Sequence, residues 1–193
     1  MKYFQLAQAI YTKLKGHNSA EVAETLRIMG DHYGLIANTQ KMRECYEQAT
    51  EIYSKLNDLN GYYNTKMSLA LMDQSLEGVK NVLGERRRRL GEEDPGLPMG
   101  LIQLALVQAA NGFKEECAKS LKEAFEIINR IKIPDPIMAE TFNVLSVLYQ
   151  VLGSNKDAII AAERAIKHLD SSDEKIPLYY KRIGMINATD RKS

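Results

Sequence analysis

Any chemistry in this chain would have to come from three histidines, two cysteines, a run of four arginines and 25 scattered carboxylates. The histidines are His17 in a turn, His32 on a helix and His168 near a helix end. None stands at metal-ligand spacing from a cysteine or another histidine, so no metal site is expected. His168 suits the end of a helix, where a cation offsets the free carbonyls. Cys45 and Cys117 form no Cys-x-x-Cys and fall on expected helices among apolar neighbours. Two thiols are too few for a disulfide scaffold, and they read as reduced, buried core residues. Gly-x-Ser-x-Gly and phosphate-cradling glycine loops are both missing. The acids scatter at solvent spacing, whereas general acid–base work needs a pair in a cleft. The chain is therefore expected not to be an enzyme and to need no cofactor.

Arg86-Arg87-Arg88-Arg89 is the sharpest local feature. One reading is a patch for an acidic partner or a nucleic acid. The other follows from helix geometry. Four successive residues point all round a helix, so one or two lie near the core with buried stems, and Glu92, Glu93 and Asp94 neutralise the rest. The second reading is adopted and the first kept as the alternative.

The bulk numbers agree. Lys+Arg 26 against Asp+Glu 25 leaves +1, unlike a dedicated nucleic-acid binder, whose affinity rests on many phosphate contacts. Apolar residues make up 45%, enough for a core. The segment MKYFQLAQAIYTKLKG lacks the uninterrupted apolar stretch of a signal peptide. No apolar run approaches the roughly eighteen residues of a membrane span. A soluble, cytoplasmic protein is expected, with no membrane contact.

Helical periodicity dominates, without strand alternation. Breaks recur roughly every forty residues, at Gly16-His17-Asn18-Ser19, Asn57 to Gly61, Gly91 to Pro98, Pro134-Asp135-Pro136 and Asp170 to Asp173. A shift of 42 lays Ala7, Ile10, Tyr11, Lys13 and Leu14 on Ala49, Ile52, Tyr53, Lys55 and Leu56. A shift of 41 lays Leu101, Leu104, Gly112 and Ala124 on Phe142, Leu145, Gly153 and Ala165. Repetition on this scale signals stacked supersecondary units. The expected elements are a lone helix over 1–15, helix pairs over 20–56, 61–90, 97–132 and 137–169, and a closing helix over 173–187. Within the pairs, turns are expected near Ala37-Asn38-Thr39, Glu77-Gly78, Asn111-Gly112 and Gly153-Ser154-Asn155. The first helix lacks a partner before it; either the protein extends further N-terminally or another copy covers that end.

These residues resemble a tetratricopeptide repeat. The first pair carries Leu26, Met29, Gly30, Tyr33, Tyr46 and Ala49 at the spacing of that family. The fourth carries Phe142, Leu145, Ser146, Tyr149, Gly153, Ala158 and Ala165. The third carries Leu101, Leu104, Ala105, Gly112, Leu121 and Ala124, and departs at Gln108, where an aromatic is usual, and at Cys117, where alanine is usual. The step exceeds the family's ~34 residues, which looks like the longer repeats of kinesin light chains. The resemblance implies an all-α, right-handed superhelical solenoid of antiparallel helix pairs, about ten helices in a single domain. Its implied function is a scaffold or adaptor that binds a peptide or partner helix in a concave groove; service as the regulatory domain of a larger protein is the other possibility it leaves. The groove lining it implies is Arg27, Asp31 and Leu35, then Met67, Leu71 and Gln74, then Ile102, Gln103 and Leu106, then Asn143, Val147 and Gln150. The lysine–asparagine clamp that some members use on chaperone tails is not matched by Arg27, Asp31, Ser68, Met99 and Gln103.

Overall fold

A computed structural model describes residues 1–131 and 135–190. Ten helices and no strand occur among the described residues. They are α1 (Lys2–Lys15), α2 (Ala20–Leu35), α3 (Thr39–Lys55), α4 (Leu59–Met72), α5 (Leu76–Leu90), α6 (Leu97–Ala110), α7 (Lys114–Arg130), α8 (Asp135–Val151), α9 (Asn155–Lys167) and α10 (Ile176–Asp190). The chain divides into two compact units, Met1–Arg86 and Arg87–Ser193, with the boundary inside α5. The part of the expected break at Pro134 lies outside the described residues.

One turn design closes all four pairs. An N–H five positions along donates back to a carbonyl of the last helical turn: Asn38 to Tyr33 (2.9 Å), Ser75 to Ala70 (3.0 Å), Phe113 to Gln108 (2.9 Å) and Ser154 to Tyr149 (2.8 Å). The bond closes only if the residue before the donor is left-handed. Glycine fills that place in the later pairs, Gly112 and Gly153, but Ala37 (φ 56°) and Gln74 (φ 49°) fill it in the earlier ones. The next helix is then capped by side chain, Asn38 accepting from Lys41 N–H (3.1 Å) and Ser75 from Gly78 N–H (2.9 Å). This corrects the second turn. It lies at Asp73-Gln74-Ser75, while Glu77 and Gly78 belong to the first turn of α5.

In the first unit the core joins Val22, Ala23, Leu26 and Met29 of α2 to Cys45, Ala49, Ile52 and Tyr53 of α3. Close crossing is set by glycine facing tyrosine. A Cβ added at Gly30 would stand 2.6 Å from the Tyr46 ring, and one at Gly61 would stand 2.4 Å from the Tyr53 ring. In the second unit alanine takes that role, with Ala105, Ala124, Ala158, Ala161, Ala162 and Ala165 all buried. Two polar groups at the crossings are satisfied inside. Ser146 Oγ donates to the Ala158 carbonyl (2.8 Å), and Ser120 Oγ donates to Gln108 Oε1 (2.8 Å), which explains how Gln108 replaces an aromatic.

Candidate binding face

The residues expected to line a groove lie on α2 and α4 of the first unit and on α6 and α8 of the second. The structure separates them into three groups. Met67 and Ile102 are buried core residues, and this corrects their assignment to an open surface. Both helices that carry them, α4 and α6, have apolar residues on every side, so helical position alone does not reveal which side faces water.

Arg27 and Asp31 are committed to a closed network. Arg27 donates to both oxygens of Glu24 (2.7 and 2.9 Å) and to Asp31 (2.8 Å). The Tyr46 hydroxyl donates to Asp31 (2.7 Å), and the Tyr53 hydroxyl donates to Glu24 (2.9 Å). The hydrogen bonds that Arg27 donates hold the Glu24 carboxyl below its ordinary range, and the same bonds push the Arg27 guanidinium up. Burial, then hydrogen bonding to the acids, pushes both tyrosine hydroxyls above the usual phenol range. The network neutralises Arg27 with two carboxylates, Glu24 and Asp31, so it offers a ligand no free cation.

The remaining residues are open to a partner. In the first unit Leu35, at the end of α2, is 85% exposed; Leu71 is half-buried and Gln74 stands in its turn. In the second unit Leu106 and Val147 are exposed, Gln103 is half-buried and Gln150 is exposed. Asn143 is half-buried and engaged by Arg182 of α10, which donates to its side-chain oxygen (2.6 Å) and reaches its carbonyl (3.4 Å). Sequence reasoning passed over Arg182 because its partner lies in another pair. The one available signal was its place three residues after Tyr179, over whose ring the guanidinium stands at 5.9 Å.

The arginine run disperses as helix geometry requires. Arg86 is buried and donates to Asn64 and Asn60 (2.8 Å each). Arg87 is half-buried between Glu92 (3.0 Å) and Glu123. Only Arg88 and Arg89 are exposed. Burial raises the thiols of Cys45 and Cys117, which keeps both in the unreactive form. No described helix is long and apolar enough to cross a membrane.

This arrangement defines a helical-repeat fold of hairpins with small residues at the crossings, the fold that the resemblance to tetratricopeptide repeats implies. No family model and no curated protein matches the chain. Among solved structures it is similar to BtubC (BKLC) from P. vanneervenii, with a TM-score of 0.72 and 17% identity over 96% of this chain and 80% of that one. It also overlays on the Cut9–Hcn1 hetero-tetramer of the APC/C, with a TM-score of 0.47 and 12% identity over 98% of this chain and 40% of that one. At 17% identity the likeness to BtubC shows the fold alone.

Proposed function

We propose that the protein is a cytoplasmic interaction scaffold that works by binding rather than catalysis, with the first helices of the second unit as its docking face. The observation that carries this reading is the exposure of two apolar residues, Leu106 and Val147. They are apolar, 45% and 38% exposed, and sit on α6 and α8, which pack together within one unit. The same two helices carry the amides of Gln103, Asn143 and Gln150. Exposed apolar residues with amides on the same helices suit a peptide or helix that buries side chains and bonds through its backbone. A face pre-ordered by helix packing loses little conformational entropy on docking. The test compares proteins retained from extract by the wild-type chain and by Leu106→Glu plus Val147→Glu, both checked for unchanged melting. Proteins lost with the double variant and rebound by purified wild-type chain support the face; equal retention of all bound proteins removes it. Binding of the partner should also change little with salt, whereas phosphate contacts would weaken steeply.

Self-association through α1 is the second reading, favoured by one observation. Helix α1 has no buried residue, and Tyr3, Leu6, Ile10 and Leu14 are 82%, 53%, 47% and 71% exposed. An apolar stripe of this length marks a surface that another element covers. Sedimentation of the wild-type chain and of Leu6→Glu plus Ile10→Glu tests it. Concentration-dependent association abolished by the pair of changes supports it, and a monomer at all concentrations ends it.

A further inference from the structure

A second opening, away from the docking face, lies in the second unit where the last turns of α7 and α9 meet the first turns of α8. Its volume is about 400 Å³, and its walls are Ile128 and Asn129 of α7 with Ile131 just after it, Met138 and Phe142 of α8, and Arg164, Lys167 and His168 at the end of α9. Among the described residues no carboxylate lines it. Acids instead gather in a neighbouring opening of about 440 Å³, which shares Lys167 and His168 but adds Asp135, Glu140, Asp170 and Asp173. The two openings therefore differ in charge across a shared wall.

Arg164 is the centre of the opening that no described carboxylate lines. Its guanidinium lies 4.6 Å from the centre of the Phe125 ring and 5.7 Å from that of Phe142, and it donates to Asn129 Oδ1. Stacking holds the guanidinium plane, and the amide holds one corner. Among the described residues Arg164 has no ion-pair partner, unlike Arg27, Arg43 and Arg87. His168 stacks on Phe142 (5.8 Å, 13°) and turns Nδ1 to Asp135 (2.9 Å), so it serves as a fixed wall. Among the described residues, Arg164 and Lys167 bring positive charge to the opening.

An arginine oriented by two aromatic rings, a lysine about one helical turn after it on α9, and apolar walls make a complementary surface for one chemistry. We propose that this opening recognises an oxyanion carried on an apolar stem of a partner polypeptide, the anion on Arg164 and Lys167 and the stem against Ile128, Ile131, Met138 and Phe142. A fork of N–H donors in a fixed plane favours a carboxylate or phosphate over a lone halide. The proposal is independent of the docking face on α6 and α8, since it uses neither Leu106 nor Val147.

The experiment titrates the full chain, labelled for amide and arginine side-chain resonances, with 3-phenylpropionate and with phenyl phosphate. Controls are neutral 3-phenylpropanol and inorganic phosphate. A saturable shift at Arg164 Nε, at residues 128–131 and at residues 164–168 is expected from at least one aromatic anion. The tighter of the two names carboxylate or phosphate as the natural group. Arg164→Gln and Lys167→Gln should each weaken that binding about tenfold, the cost of one charged contact. Arg88→Gln should leave it unchanged, as should Leu106→Glu plus Val147→Glu, which keeps failure here distinct from failure of the docking face. Equal binding of the neutral alcohol would overturn the anion, and equal binding of inorganic phosphate would overturn the apolar stem. Shifts from neither anion, or shifts indifferent to both glutamine variants, would overturn the site. Lys167 lies at the surface, so its variant keeps the test valid if Arg164→Gln does not fold.

Discussion

At the scale of single residues, two contacts decide how closely the first helices approach. Gly30 and Gly61 each face a tyrosine ring across a crossing, with room for a hydrogen but not a methyl group. Gly30→Ala therefore forces Tyr46 aside and strains its hydrogen bond to Asp31. The expected loss is about 1–3 kcal/mol, read as a fall in melting temperature. An unchanged melt would mean that the ring moves freely. Glu24 adds a dependence on pH. Its carboxyl is held below its ordinary range in the folded chain, chiefly by the hydrogen bond from Arg27, so the unfolded chain takes up the proton more readily. Its contribution is complete above the ordinary glutamate value of about 4.3 and is lost as pH falls toward the depressed one. Denaturation midpoints measured from pH 7 down to pH 3 should fall, and Glu24→Gln should fall less steeply over the same interval. Parallel slopes would sink the assignment.

At the scale of helices, what the sequence reveals depends on whether a helix has a polar side. The crossings were legible because glycine and alanine recur where bulky residues would collide, as at Gly30, Ala49, Ala124, Ala158 and Ala165. The turns at Gly112 and Gly153 were legible for the same reason, since glycine announces a left-handed residue. The turn at Gln74 was hidden because glutamine carries no such signal, and Gly78 nearby drew the reading three residues too far. Met67 and Ile102 were misplaced because apolar residues lie on every side of α4 and α6, so no single apolar stripe fixes their rotation. The arginine run was readable because its residues differ only in angle round α5. That reading yields a prediction. Arg86→Ala removes a buried stem and two hydrogen bonds to amide oxygens, for about 1–3 kcal/mol, while Arg88→Ala stays within about 0.5 kcal/mol. Equal effects on melting would show that the helix is rotated from the position described.

At the scale of the whole chain, the two units each carry one buried thiol, Cys45 in the first and Cys117 in the second. The thiols are 7% and 0% exposed, and burial raises both, so neither should react with an alkylating agent while its unit is folded. Each cysteine is thus a reporter of local opening. In repeat arrays stability is close to a sum of unit and neighbour terms, so a change in one place does not weaken every part equally. Alkylation across a denaturant series, quantified at each cysteine by mass spectrometry, should give two protection curves. Gly30→Ala should move the Cys45 curve to lower denaturant and shift that of Cys117 much less. Ala165→Leu, which overpacks a crossing in the second unit, should do the reverse. Identical displacement of both curves by each substitution would show one cooperative body, in which the close crossings stabilise the chain as a whole rather than unit by unit.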